Sequence, residues 1–215
     1  MRVLKVKGKS RVNVEPDIVT ISFEVETKAR GYADCIGKLN TRIEELRGNV
    51  AATGLALADL KTTAFAIRVD TRYEDGQHRF VGYRASHNLH IELPVDKELL
   101  NRVLRQIAQG HSGTEIKLAF SVKDKDGLRK RVLAEAVRTA KENAAALAAA
   151  AGITLGTLQQ IDYGWAEVRI YDCEASMVGE APPPLLTPSD YYEADIDPED
   201  VGAEDSVTLV YEIED

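Results

Sequence analysis

The sequence predicts an α+β fold in which antiparallel β-hairpins and sheet pack against helices, in the order ββαββαβαββ. Three observations carry that prediction: stretches of strict apolar–polar alternation, stretches with apolar residues three and four apart, and glycine or proline turn signals between them. Alternation marks strands because their side chains have period two, and the three-and-four spacing marks one face of a helix.

The first strand carries Leu4 and Val6, then Val12 and Val14, and is expected to be interrupted near Gly8. Glu15-Pro16-Asp17 turns the chain, since proline suits a turn and donates no ladder hydrogen bond. Val19, Ile21, Phe23 and Val25 then face one side while Thr20, Ser22, Glu24 and Glu26 face the other. This reads as a half-buried strand, and the two strands as a hairpin. Residues 31–53 form a helix through Ile36, Leu39, Ile43, Leu46 and Val50, closed by Gly54. A second, longer hairpin follows: residues 62–74 alternate through Phe65, Ile67 and Val69, and Asp75-Gly76 supplies the turn. Residues 81–93 return with Val81, Tyr83, Ala85, Leu89, Ile91 and Leu93 on one face.

A short helix over 96–109 turns Leu99, Leu100, Val103, Leu104 and Ile107 inward. After Gly110 to Gly113 comes a strand with Ile116, Leu118, Phe120 and Val122. The helix over 124–151 ends in a run of alanines, which favour helix and let another element approach the backbone closely. Gly152 ends it. A strand over 158–171 changes phase between Trp165 and Ala166, the mark of a bulge or a change of partner surface. The last strand resumes at Ser206 with Val207, Leu209, Tyr211 and Ile213.

Between these strands, residues 174–205 form a long acidic, proline-rich loop holding five of the seven prolines. Loops this long are commonly functional or disordered. The net charge of −8 is unevenly spread: residues 170–215 hold 14 Asp and Glu and no Lys or Arg, while the preceding 169 carry 27 basic against 21 acidic groups. Pro182, Pro183, Pro184, Tyr191, Tyr192, Asp195 and Asp197 are the candidate interface residues, with the tyrosines as apolar anchors and the carboxylates setting orientation toward a basic face.

Composition narrows the function classes. A chain of 215 residues with 44% hydrophobic and 29% charged residues is ordinary globular protein, here a single domain over 1–215 that admits a subdivision into 1–95 and 96–215. The Lys5, Lys7 and Lys9 spacing breaks the apolar run an export signal needs, and no stretch is long and apolar enough to span a membrane, so a cytoplasmic location is expected. The densest basic group, residues 128–131, reads as a solvated helix face and not as a nucleic-acid surface. Cys35 and Cys173 are expected to be two reduced thiols.

The chemical candidates are few. His87 and His90 stand three apart on a strand, so they face opposite sides and cannot chelate one ion; a core and a surface histidine are expected. Asp124 and Asp126 before Gly127 read as helix capping, since the glycine arrives too early for a calcium loop. There is no Gly-x-Ser-x-Gly turn and no phosphate-binding glycine loop. No catalytic, cofactor-binding or metal residue is assigned, and no cofactor.

Four segments together resemble the SIMPL-domain family: "VNVEPDIVTISFEV" at 12–25, "TTAFAIRVDTRYEDGQHRFVGYRASHNLHIEL" at 62–93, "AVRTAKENAAALAAAAGITLGTLQQI" at 136–161 and "VTLVYEI" at 207–213. Gly82-Tyr83-Arg84-Ala85-Ser86 and the alanine helix leading to Gly152 and Gly156 are the more specific parts. Relatives include periplasmic immunogenic proteins and a protein linked to oxidative-stress defence. The resemblance implies an α+β fold, a stress-related role and, as in some relatives, assembly into rings or hollow particles; it carries over no catalytic residue. The expectation is a non-enzymatic homo-oligomer. An adaptor that presents the acidic loop to a basic protein partner is the alternative, and an unrecognised hydrolase the third.

Overall fold

The structure is a computed structural model, and it describes residues 2–74, 76–108, 114–164, 169–171, 173–177 and 196–214. In chain order the elements are β1 (Val3–Val14), β2 (Ile18–Ala29), α1 (Tyr32–Ala52), a 3-10 turn (Leu57–Asp59), β3 (Lys61–Glu74), β4 (Gln77–Pro94), α2 (Lys97–Ala108) and β5 (Thr114–Ser121). They continue with α3 (Lys125–Ala151), β6 (Thr154–Asp162), β7 (Arg169–Tyr171), β8 (Cys173–Met177) and β9 (Val201–Glu214). The α+β class is as expected. The chain folds into two compact units, one from residues 1–16, 122–173 and 199–215, the other from 17–121 and 174–198, so no single cut in the chain separates them.

In the first unit, β9 lies between β1 and β6, with β7 also on β9, and α3 packs on β1, β9 and β6. The expected β1–β2 hairpin is not formed: β1 runs antiparallel to β9 along its whole length, Val3 opposite Glu212 and Val14 opposite Val201. Local alternation selects a strand's face, not its partner. Nor does Gly8 interrupt β1. A Cβ at Gly8 would run into the Ala136 carbonyl oxygen and come within 2.5 Å of the Ala140 nitrogen, so the glycine lets the helix backbone lie on the strand. The α3 stripe fits this contact, with Leu128 and Val132 giving way to Ala136, Ala140, Ala144 and Ala148, all buried. Val12, Val122, Leu128, Val132, Val201 and Ala203 form one core cluster, and Ala136, Ala140, Val207 and Leu209 another.

Capping sets the limits of α3. The Asp124 carboxylate accepts a 2.8 Å hydrogen bond from the Gly127 N–H, satisfying one of the orphan donors of the first turn, as the capping reading expects. Gly152 closes the helix at φ +66°, where a side chain would be strained. Arg129, Lys130 and Arg131 are exposed, a solvated face. The phase change expected at 165–166 lies outside the described residues; the register shifts of β6 against β9 come earlier, around Leu158. β8 is a strand within the span expected to be loop, and β9 begins at Val201 rather than Ser206.

In the second unit the strand order is β3-β4-β2-β5-β8. Central β2 pairs antiparallel with both β4 and β5, placing Phe23 opposite Leu89 and Ile116. Asp17 ties the entry to this sheet: its N–H donates to the Ser121 carbonyl and its own carbonyl accepts from Val95. Val19, Ile21, Phe23 and Val25 are each 0–1% exposed, as expected. The α1 stripe Leu39, Ile43, Leu46 and Val50 is buried with Cys35, and α1 packs on β2, β4 and α2. Asp96 caps α2 by accepting from the Glu98 and Leu99 N–H groups at 2.9 and 3.1 Å. Leu100, Val103, Leu104 and Ile107 are buried.

Candidate functional site

The hairpin of β3 and β4 outruns the helix that covers its sheet. At about 1.5 Å per residue the 21-residue α1 is roughly 31 Å long, whereas the 18 residues of β4 extend roughly 60 Å at about 3.3 Å each. One end is therefore left uncovered. Gly76, at φ +77°, turns the hairpin, with Glu74 opposite Gln77.

Phe65, Ile67 and Val69 lie opposite His87, Ala85 and Tyr83, and Ala85 in turn lies opposite Thr27 of β2. Opposed residues share a face, so this row continues the face that β2 buries. It is not itself buried: Phe65 is 55%, Val69 58%, Tyr73 66% and Phe80 54% exposed. Val81, expected on the buried face, is exposed because it is the extra residue of a bulge, where Asp70 faces Gly82 and Thr71 faces Phe80. At that bulge a Cβ on Gly82 would come 2.5 Å from the Ala29 carbonyl oxygen, so only glycine fits.

The aromatic rings interlock along the uncovered face. Tyr83 takes Tyr32 and Phe80 edge-on at 5.5 and 5.4 Å, and Phe65 meets the His87 ring edge-on at 5.6 Å. Such contacts hold a preformed apolar surface. His87 is half-buried, not a core histidine, and its Nε2 lies 2.9 Å from the Thr62 hydroxyl. Burial, with the Arg47 charge adding to it, lowers its pKa from the usual 6.5. His90 lies on the other face, with its Nδ1 enclosed.

The opposite face of the arm is charged. Arg84 bridges Glu26 and Asp70 at 3.4 Å each. Nearby, an open groove along α1 and the end of β2 is lined by Glu26, Lys28, Asp34, Lys38, Arg42 and Glu45. Four of its charges pair within it, Lys38 with Asp34 at 3.0 Å and Lys28 with Glu26 at 3.6 Å, and Arg42 donates to the Glu26 backbone carbonyl at 2.6 Å. Cys35 is fully enclosed, its Sγ 3.4 Å from the Tyr83 carbonyl, and it is a free thiol.

Of the residues singled out in the acidic segment, Pro182, Pro183, Pro184, Tyr191, Tyr192 and Asp195 lie outside the described residues, as does the side chain of Cys173. Asp197 is exposed and its carboxylate is 3.4 Å from Lys97 Nζ of α2. The uncovered aromatic row was missed as a site because its alternation is that of a core strand. Length signals only its far end, Tyr73 and Phe80, since a hairpin twice as long as the preceding helix cannot be covered by it; Phe65, level with buried Val25 through His87, is open because β3 is the outer strand. Among the described residues no cluster of three or more His, Cys, Asp or Glu side chains could hold a metal, and no helix is long and apolar enough to cross a membrane.

Comparison with known proteins completes the picture. Residues 4–211 match the family model SIMPL, described as a protein of unknown function (DUF541). The chain is similar to the uncharacterized protein YggE of Edwardsiella ictaluri (strain 93-146), with 24% identity over 158 residues, 73% of this chain and 65% of that protein. It is also similar to the uncharacterized protein YggE of Escherichia coli (strain K12), with 25% identity over 138 residues, 63% of this chain and 56% of that protein. The chain thus spans less than two thirds of the length of these relatives. The family match runs through both folded units, from β1 to β9, and the chain belongs to the SIMPL family.

Proposed function

We propose that this chain is a non-enzymatic, self-associating protein whose contact surface lies on the β3–β4 arm, which carries the uncovered apolar row. The observation that carries this reading is the row of Phe65, Val69, Tyr73 and Phe80, each more than half exposed on a face that is core elsewhere in the same sheet. Apolar surface of this kind, rimmed by charges, is characteristic of protein contacts. The internal pairing of the charged groove favours a structural role for those side chains over a substrate site. Static light scattering at several concentrations tests the proposal. A discrete species of two or more chains is the expected result; a single chain at every concentration overturns it and favours the adaptor reading, in which the acidic segment meets a basic partner.

A further inference from the structure

We infer that the contact is made edge to edge: β3 of one copy lies antiparallel to β3 of a second, about a two-fold axis at Val69. This rests on the self-association reading above and specifies its surface and register. β3 is an outer strand of its sheet, with β4 on one side and no other strand among the described residues on the other. Its 14 residues include none that is buried. A long edge strand presents unpaired backbone groups as a template, and protein edges are usually guarded by prolines, bulges or short length. From Ala64 to Glu74 β3 contains no proline and the bulge at Val81 is in β4; the guard it carries is charge, as Arg68, Asp70, Arg72 and Glu74 alternating in sign along one face.

The order of side chains along β3 selects one register. A symmetric antiparallel pair keeps both apolar rows on one face, so the axis must pass through a residue. With the axis at Val69, Arg68 faces the partner's Asp70 on both sides of it. On the apolar face Val69 meets the partner's Val69, and Phe65 meets the partner's Tyr73 twice. Opposite charges and aromatic pairs directly across a ladder stabilise it, and like charges there destabilise it. An axis at Arg68 sets that arginine against the partner's Arg68. An axis at Asp70 sets two carboxylates together and Arg68 against the partner's Arg72. An axis at Ile67 makes no ion pair at all. An axis at Thr71 also pairs charges, but it leaves Phe65 with no facing residue in the partner's β3. Arg68 is exposed and makes no ion pair among the described residues, and in the Val69 register it joins the partner's Asp70 carboxylate, which Arg84 holds at 3.4 Å within its own chain.

Cysteine pairing reads the register directly. In a Cys173→Ser background, with enclosed Cys35 left in place, Val69→Cys, Ile67→Cys and Thr71→Cys are each oxidised with copper phenanthroline and resolved on non-reducing gels. Facing Cα atoms about 4.5–5.5 Å apart fall within the roughly 4.4–6.8 Å that a disulfide spans. Residue 67 and the partner's 67 would instead be about 13 Å apart along the strands at about 3.3 Å per residue. The expected result is a shift of Val69→Cys to the dimer band, no shift for Ile67→Cys or Thr71→Cys alone, and a shift when those two are mixed. Cross-linking of Thr71→Cys alone, or equal cross-linking of all three, overturns the register. Failure of Val69→Cys to cross-link while the reduced protein keeps a multimeric mass overturns this contact and leaves self-association standing. A monomeric mass in the reduced parent overturns both.

Discussion

Strands β2 and β3 belong to one sheet, alternate apolar and polar residues with similar regularity, and meet opposite fates. Every second residue of β2 from Val19 to Thr27 is buried, whereas no residue of β3 is. The difference lies in what covers them. β2 is central and lies under α1; β3 is the outer strand of a hairpin that runs beyond the helix. Alternation therefore marks a face that can be buried, and a second layer decides whether it is.

The sharpest way to break this comparison is to empty the same kind of site in each strand. Phe23→Ala should destabilise the fold by about 3–5 kcal/mol, the usual cost of removing a buried aromatic side chain. Phe65→Ala should fall within about 0.5 kcal/mol when melted in denaturant at concentrations too low for self-association. Equal losses would mean that β3 is covered after all. Glu24→Ala, on the polar face of β2, should resemble Phe65→Ala and not Phe23→Ala.

A second contrast sets a strand buried by backbone contact against a helix position open to solvent. Gly8→Ala drives a methyl group into the α3 backbone and should cost about 1–3 kcal/mol or more, as overpacking does. Gly37→Ala, in α1 with nothing within 4 Å of the new Cβ, should stabilise by about 0.4–1 kcal/mol through the unfolded chain. Thermal melts of the pair should move in opposite directions. A harmless Gly8→Ala would show that α3 does not rest on β1.

The exposed row should matter to association where it does not matter to folding. Each Phe65–Tyr73 pair across the two-fold axis is worth about 0.2–1 kcal/mol over alanine, and there are two. Phe65→Ala should thus weaken the dimer several-fold in sedimentation equilibrium. An unchanged dissociation constant would remove Phe65 from the contact.

The smallest effect expected is a pH dependence from His87. Its pKa is lowered in the fold, so below about 6.5 the unfolded chain takes up a proton that the folded chain resists. Stability contributed by this group is complete above that pH and declines as the pH falls toward the lowered folded value. His87→Gln should flatten that part of the stability profile. A slope of the opposite sign would show that protonated His87 gains a partner in the fold.

Much of the architecture was legible in the residues themselves. The stripe Leu39, Ile43, Leu46, Val50 and the row Val19, Ile21, Phe23, Val25 are buried as their spacing requires, and Asp124 and Gly152 bound α3 as capping chemistry requires. The alanine run announced a close approach, though not that Gly8 would be its counterpart. The site was less legible. His87 and Val81 sit on the apolar phase of β4, yet one is half-buried and the other pushed out by a bulge.

Element type, element limits and the facing of each side chain depend on neighbours a few residues away, so they can be read along the chain. Strand partners and coverage depend on contacts between distant residues. Glu15-Pro16 looks like the corner of a hairpin, but β1 finds its partner in β9, near the other end of the chain, because α3 presents small residues to Gly8 and the same helix lies on β9. Likewise Phe23 and Phe65 occupy equivalent phases of two alternating strands. Only the reach of α1 over the sheet makes one of them core and the other surface.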